Sequence, residues 1–186
     1  MTEDRTGSWW YRNAPWLKTT FRVVFGVIWL IAGAFKFAPG LVDDFPGMVS
    51  DAAAGQPAWL APWFDFWTAQ ATANPALWVY LTGVLEVAVG LSLVFGFMRK
   101  VGYLGGAILS LFIWAVPEGF GGPYGSGSTD IGGGVVYAMV FLMLIIVNVG
   151  YGPSRWSLDH LIELRWGSWR RVAEFGPVAT PPTASP

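Results

Sequence analysis

The sequence predicts an all-α integral membrane protein: a four-transmembrane-helix bundle with interfacial and cytoplasmic amphipathic helices. Composition is the first reason. Of 186 residues, 54% are hydrophobic and only 12% charged, about half the charged fraction of an ordinary soluble domain. The second reason is the presence of four apolar runs, each close to the roughly 17 to 25 residues that cross a bilayer. They lie at Thr19–Phe37, Pro75–Phe97, Val101–Pro117 and Ile131–Val149.

The first run reads as a span. It is longer than the apolar region of a secretion signal, carries Lys36 near its end, and is followed by three more spans. Cleavage after Ala32-Gly33-Ala34 is the alternative. Basic residues set the orientation. Arg5, Arg12, Lys18 and Arg22 precede or open span one, Arg99 and Lys100 separate spans two and three, and Arg155, Arg165, Arg170 and Arg171 follow span four. The opposite loops hold Asp43, Asp44, Asp51, Asp65, Glu118 and Asp130. The positive-inside rule then predicts a multi-pass plasma-membrane protein with both termini cytoplasmic.

Residues 1–18 form a cytoplasmic lead whose Trp9, Trp10, Tyr11 and Trp16 suit the aromatic belt of a membrane interface. Residues 19–150 form the four-helix domain, interrupted by an outer segment at 39–74. Within that segment Trp59, Trp63, Phe66 and Trp67 share one helical face. It is either a short helix lying in the interface or a lid over a pocket between the spans. After span four, Gly150-Tyr151-Gly152-Pro153 stops the helix. Leu158, Leu161, Ile162, Leu164 and Trp169 then predict a cytoplasmic amphipathic helix within 151–174. The Pro/Ala/Thr-rich residues 175–186 read as a disordered tail.

Several chemistries are excluded by residue type. With no cysteine there is no disulfide, thiolate metal ligand or cysteine-bound iron–sulfur cluster. His160 is the only histidine, so neither a metal nor a haem motif is present. The glycine-rich stretch 119–127 lacks the Lys-Ser/Thr end of a phosphate loop. The basic residues serve topology and contact with the lipid bilayer, and nothing marks a nucleic-acid surface.

Candidate functional residues are the ionisable groups that membrane depth makes costly. Glu86 lies mid-depth in span two, flanked on its side by Gly83 and Gly90. Lys36 on span one is its candidate partner, with a depth offset of about 10 Å at ~1.5 Å per residue. Span three places Gly102, Gly106, Ser110, Trp114 and Glu118 at successive i+4 steps, and span four follows Asp130 with Gly134 and Tyr137. The inward set of Lys36, Glu86, Trp114, Glu118, Asp130 and Tyr137 supports two readings. It is a polar cluster that fixes helix register, or a pocket open to the outer side for a small polar or quinone-like molecule.

The segment Trp114-Ala115-Val116-Pro117-Glu118-Gly119-Phe120-Gly121-Gly122-Pro123-Tyr124, continuing through Thr129-Asp130-Ile131-Gly132 to Tyr137, carries a family likeness. Arg22, Gly26, Gly33 and Lys36, with Glu86, Gly90, Gly96 and Arg99, extend it over about residues 19–150. The chain resembles the DoxX/DoxD family of small four-span membrane proteins. It is most similar to the DoxD type, the small subunit of thiosulfate:quinone oxidoreductase. The resemblance implies electron transfer from thiosulfate to quinone, with quinone as co-substrate, a second membrane-associated subunit as partner, and an oligomer as one possible state. Lys36, Glu118 and Asp130 are then the catalytic candidates. Trp114, Tyr137, Tyr124 and Glu86 are the candidates for binding substrate or quinone. Two alternatives remain open: a non-catalytic membrane subunit or scaffold of another redox or respiratory complex, and, with less support, a small-molecule carrier.

Overall fold

The structure, a computed structural model, describes residues 9–124, 130–151 and 155–175. The first half of the expected lead, the loop 125–129, the helix-stopping Gly152-Pro153 and the tail beyond 175 lie outside them. All regular structure among the described residues is helical. Four long helices carry the fold: α1 (Trp9–Phe35), α4 (Pro75–Phe95), α5 (Arg99–Ala115) and α6 (Gly133–Tyr151). Between the first two lie α2 (Leu41–Ala53) and α3 (Ala61–Ala73), and the chain ends in α7 (Leu158–Glu163) and α8 (Arg170–Ala173).

Among the described residues, three helices are long and apolar enough to cross a membrane: Arg12–Phe35 within α1, Pro75–Phe95, and Gly133–Gly150 within α6. The third of the four expected spans, α5, has only 17 residues, about 25 Å at 1.5 Å per residue against a hydrocarbon core of roughly 30 Å. Helix α1 starts ten residues before the apolar run, because Arg12 and Lys18 continue the helix, and Arg22, buried further along it, donates from Nη2 to Trp156 O at 2.8 Å. Pro75 pre-sets the first turn of α4, and Gly96 ends it in the left-handed region at φ 64. Large apolar side chains such as Val24, Ile31, Leu77, Ile108 and Ile146 point outward. Water would penalise that surface, but lipid tails do not.

The four long helices pack in the cyclic order α1, α4, α5, α6. Glycines explain the close contact of α1 with α4. A Cβ built on Gly26 would sit 2.9 Å from Val94 N, one on Gly33 2.9 Å from Val87 N, and one on Gly90 2.9 Å from Leu30 N. Small residues thus let the two backbones touch. At the centre Phe25, Trp29 and Phe141 meet edge-on, with Trp29 and Phe141 centroids 5.3 Å apart.

The outer segment is two helices rather than one aromatic stretch. Asp43 and Asp44 in the first turn of α2 suit its positive end. Phe45, Met48 and Val49 form its apolar stripe. Of the predicted aromatic face, Trp67 turns inward, while Trp59 and Phe66 stay exposed and Trp63 is 38% exposed. Trp67 packs 5.0 Å from Phe112 and 5.2 Å from Trp78, and Trp63 Nε1 donates to the carbonyl of Ala115 at 3.0 Å. Gln56 Nε2 donates to Gly119 O at 2.8 Å. Helices α2 and α3 are therefore fastened over the start of α4 and the end of α5.

The amphipathic segment expected within 151–174 folds as two short helices, α7 and α8. Leu158, Leu161 and Leu164 are exposed while Asp159 and Glu163 are buried. The reason is Arg99, which is fully buried at the start of α5. Its Nε donates to Asp159 Oδ2 at 2.9 Å, and Nη2 lies 3.7 Å from Glu163 Oε1 and also contacts Glu174. Asp159 further accepts from Met98 N at 2.8 Å, Arg99 N at 2.9 Å and Trp169 Nε1 at 2.8 Å. A buried guanidinium needs anions around it, so the acidic face turns in.

Candidate functional site

The cavity that gathers most of the predicted residues lies between α1, α4, α5 and α6. It has a volume of about 180 Å³, and its polar lining is Lys36, Glu86, Ser110, Glu118 and Tyr137, with Trp29 at its wall. A second space of about 170 Å³ shares Lys36, Ile113 and Glu118 and is roofed by Leu41, Phe45 and Met48 of α2.

Lys36 and Glu86 are paired, as their depth demands: Lys36 Nζ lies 3.7 Å from Glu86 Oε1. Their depth offset is smaller than the sequence count suggests. A Cβ on Gly83 would lie 2.7 Å from Lys36 Cβ. Lys36 therefore stands opposite Gly83, three residues or about 4.5 Å along the helix from Glu86. The lysine is 31% exposed and the carboxylate 4%, so the charge pair has one open and one enclosed end. Burial leaves Glu86 Oε2 without a hydrogen-bond partner.

Glu118 follows the last turn of α5 and reaches across to α6, where Oε2 accepts from Gly134 N at 2.8 Å. A carboxylate at the positive end of a helix is stabilised by the unpaired N–H groups there. Trp114 is not in the cavity lining. Its Nε1 donates to Ile131 O at 2.7 Å, and its ring meets Phe120 edge-on at 5.3 Å, closing the loop between α5 and α6. Tyr137 lines the cavity and packs 5.6 Å from Phe25 and 6.1 Å from Trp29.

Two further predicted residues stand outside the cavity. Asp130 is exposed, and its Oδ1 accepts from Gly132 N at 2.7 Å, a local turn. Tyr124 is 65% exposed, with its hydroxyl donating to Phe120 O. Trp29 was not among the predicted site residues. The available signal was its spacing, since Trp29, Gly33 and Lys36 recur at helical intervals on one side of α1. Its Nε1 is buried without a hydrogen-bond partner. Ser110 Oγ donates to Gly106 O at 2.7 Å, which leaves its lone pairs facing the cavity's polar groups. Among the described residues, no cluster of three or more His, Cys, Asp or Glu side chains is placed to hold a metal ion.

The DoxX family model matches residues 17–118, more than half of the chain. No curated protein and no solved structure gives a significant match. The matched stretch covers most of α1 and all of α2 through α5, and includes Trp29, Lys36, Glu86, Ser110 and Glu118 of the cavity. This chain belongs to the DoxX family of membrane proteins.

Proposed function

We propose that this protein is the membrane subunit of a quinone-linked oxidoreductase, of the DoxD type, with α1, α4, α5 and α6 as four spans of the plasma membrane and both termini cytoplasmic. The observation that carries the reading is the Lys36–Glu86–Glu118–Tyr137 cavity. It is a polar pocket inside an otherwise apolar bundle, where ionisable groups are retained for a purpose. The overall reaction joins two thiosulfate ions through a new S–S bond as tetrathionate, releasing two electrons. Quinone takes those electrons with two protons and becomes quinol.

The two halves of this reaction suit different places. The cavity holds two carboxylates against one ammonium, so a dianion gains little there. A neutral quinone head is the better occupant. Thiosulfate is then oxidised at the outer side, with a second membrane-associated subunit over α2 and α3. Glu118, at the outer end of the cavity, passes protons to the quinone oxygens. Lys36 keeps the Glu86 charge compensated, and Tyr137 supplies an aromatic wall.

The test is thiosulfate-dependent quinone reduction in membranes with and without this gene, its native neighbours kept in place. Loss of activity with the gene is the expected result. Unchanged activity, with the protein shown present in the control, refutes it. A second reading, a non-catalytic scaffold, is favoured by one observation: Trp114 and Asp130 hold backbone groups of the loop between α5 and α6, and Glu118 holds the first turn of α6. On that reading their loss weakens assembly, not turnover.

A further inference from the structure

Two neighbouring helices of the bundle do not close on each other. Glycines let α1 lie against α4 backbone to backbone, but α1 meets α6 through aromatic rings, with Phe25 5.6 Å from Tyr137 and 5.1 Å from Phe141. These wide side chains prop the helices apart, and α1 touches α6 far less than it touches α4. Between them lies a groove of about 570 Å³. One stripe of each helix walls it: Leu17, Lys18 and Phe21 of α1, and Val136, Met139 and Met143 of α6. The stripe of α6 continues to Val147, about 16 Å along the helix from Val136.

Among the described residues that line the groove, Lys18 alone is charged, and it sits at one end. Its charged neighbours include Arg22, Arg99 and Glu174, which gather around the start of α5. Helix α6 runs antiparallel to α5, with Phe141 over Gly106 and Gly134 over Ser110. Val147 therefore lies toward the Lys18 end and Val136 away from it. Lys18 also directly precedes the apolar run of α1, with Trp16 exposed beside it, a combination that belongs at a membrane interface. With α1 and α6 as spans, the groove begins at headgroup level and runs into the hydrocarbon.

We infer that this groove binds one anionic phospholipid, its phosphate at Lys18 and an acyl chain along the α6 stripe. Apolar walls that face each other across a gap lose dispersion contacts unless something apolar fills it, and water finds too few polar partners there. A transmembrane helix suits the groove less well. Helix pairs in membranes close on small residues, and in this bundle Gly26, Gly33, Gly90 and Gly106 are taken up by contacts among its own helices. The groove offers one small residue, Ala14; its other walls are long or branched, and its methionines adapt to a flexible occupant. A helix laid there would also cover the Lys18 ammonium with apolar surface or have to bring an acid to it. An anionic lipid carries its own counter-charge. The site is separate from the Lys36–Glu86 cavity and independent of the proposed reaction.

The test is retention of added lipid by the full chain in detergent, read by native mass spectrometry, with dioleoylphosphatidylglycerol and dioleoylphosphatidylcholine as probes. One phosphatidylglycerol per chain is expected, held about fivefold more tightly than phosphatidylcholine, the effect of one basic residue near an anionic headgroup. Lys18→Gln should remove that preference and Lys18→Arg should keep it. Met139→Trp, which fills the groove with an indole, should abolish retention. Leu142→Trp, also at an exposed position of α6 but outside the lining, should leave it unchanged. Equal retention of the two lipids by the unmodified chain, or equal effects of the two tryptophan variants, overturns the inference and leaves ordinary boundary lipid. A dimer of this chain that Met139→Trp dissociates overturns it in favour of a second copy in the groove. If Lys18→Gln does not fold, the comparison of the two lipids and the two tryptophan variants decides alone.

Discussion

Replacing Gly33 by alanine tests whether backbone contact between α1 and α4 sets the geometry of the cavity. The added Cβ would lie 2.8 Å from Val87 Cγ2, 2.9 Å from Val87 N and 3.1 Å from Glu86 Cβ. Ordinary contacts are about 3.5–4.0 Å, so α1 must retreat by roughly 0.6–1 Å. A backbone nitrogen cannot turn aside as a side-chain tip can. Overpacking of this kind costs about 1–3 kcal/mol, and the better helix propensity of alanine returns at most about 1 kcal/mol. The expected net loss is about 1–2 kcal/mol, read by unfolding in mixed detergent–SDS micelles followed by tryptophan fluorescence. Gly26→Ala meets the same obstacle two turns away, with Val94 N at 2.9 Å. One rigid retreat of α1 relieves both clashes, so the double variant should lose clearly less than the sum of the single losses. Additive losses, or no loss in either single variant, refute the reasoning.

Three further outcomes follow from other parts of the molecule. Asp159→Ala strands Arg99 and three other donors, and should destabilise the protein by about 3–5 kcal/mol while exposing residues 155–175 to protease; unchanged protease resistance refutes the role of this anchor. Burial pushes the Glu174 carboxyl up to about 7, Arg99 opposing and Glu163 adding to the shift. The folded protein therefore binds more protons than the unfolded chain between the ordinary carboxylate range and about 7, and its stability falls as pH rises through that window. Glu174→Gln should flatten this part of the unfolding midpoint's pH profile. On the oxidoreductase reading, Glu118→Gln keeps an acceptor for Gly134 N but loses the proton-carrying acid, so quinone reduction should drop about 100-fold in folded protein. Asp130→Asn, outside the cavity, should leave turnover unchanged.

What the sequence made legible follows from which physical constraint acted alone. The apolar runs were plain because exclusion from water leaves few alternatives, and the Lys36–Glu86 pair was legible because charges at depth require partners. Helix α2 was hidden: its stripe of Phe45, Met48 and Val49 is interleaved with acids and Pro46, a mixture that reads as loop until Lys36 and Phe112 are seen beneath it. The buried face of the C-terminal segment was hidden for a similar reason. The leucines of a surface helix were plain, but what Asp159 and Glu163 turn toward is Arg99, about 60 residues away in sequence. Spacing also placed Glu118 and Asp130 together, and only the turn at Gly132, with φ 89, shows that one acid enters the bundle while the other closes its own loop. Trp29 was the clearest omission, since an indole on an apolar helix gives no sign in sequence that its N–H lacks a partner.

The Arg99–Asp159 contact has a consequence for how the chain is made. Helix α5 has no N-terminal cap of its own: Met98, at φ 50, bears no side-chain acceptor, and the carboxylate that receives its first N–H groups belongs to Asp159. During synthesis, α5 emerges before that residue has been translated. The ribosome must still add all of α6 before the acceptor exists. The bundle therefore passes through a stage in which a guanidinium and the start of a helix await their counter-charge. Final assembly thus waits for the C-terminal segment to fold back onto the start of α5, and any early stop before Asp159 leaves α5 permanently at that stage.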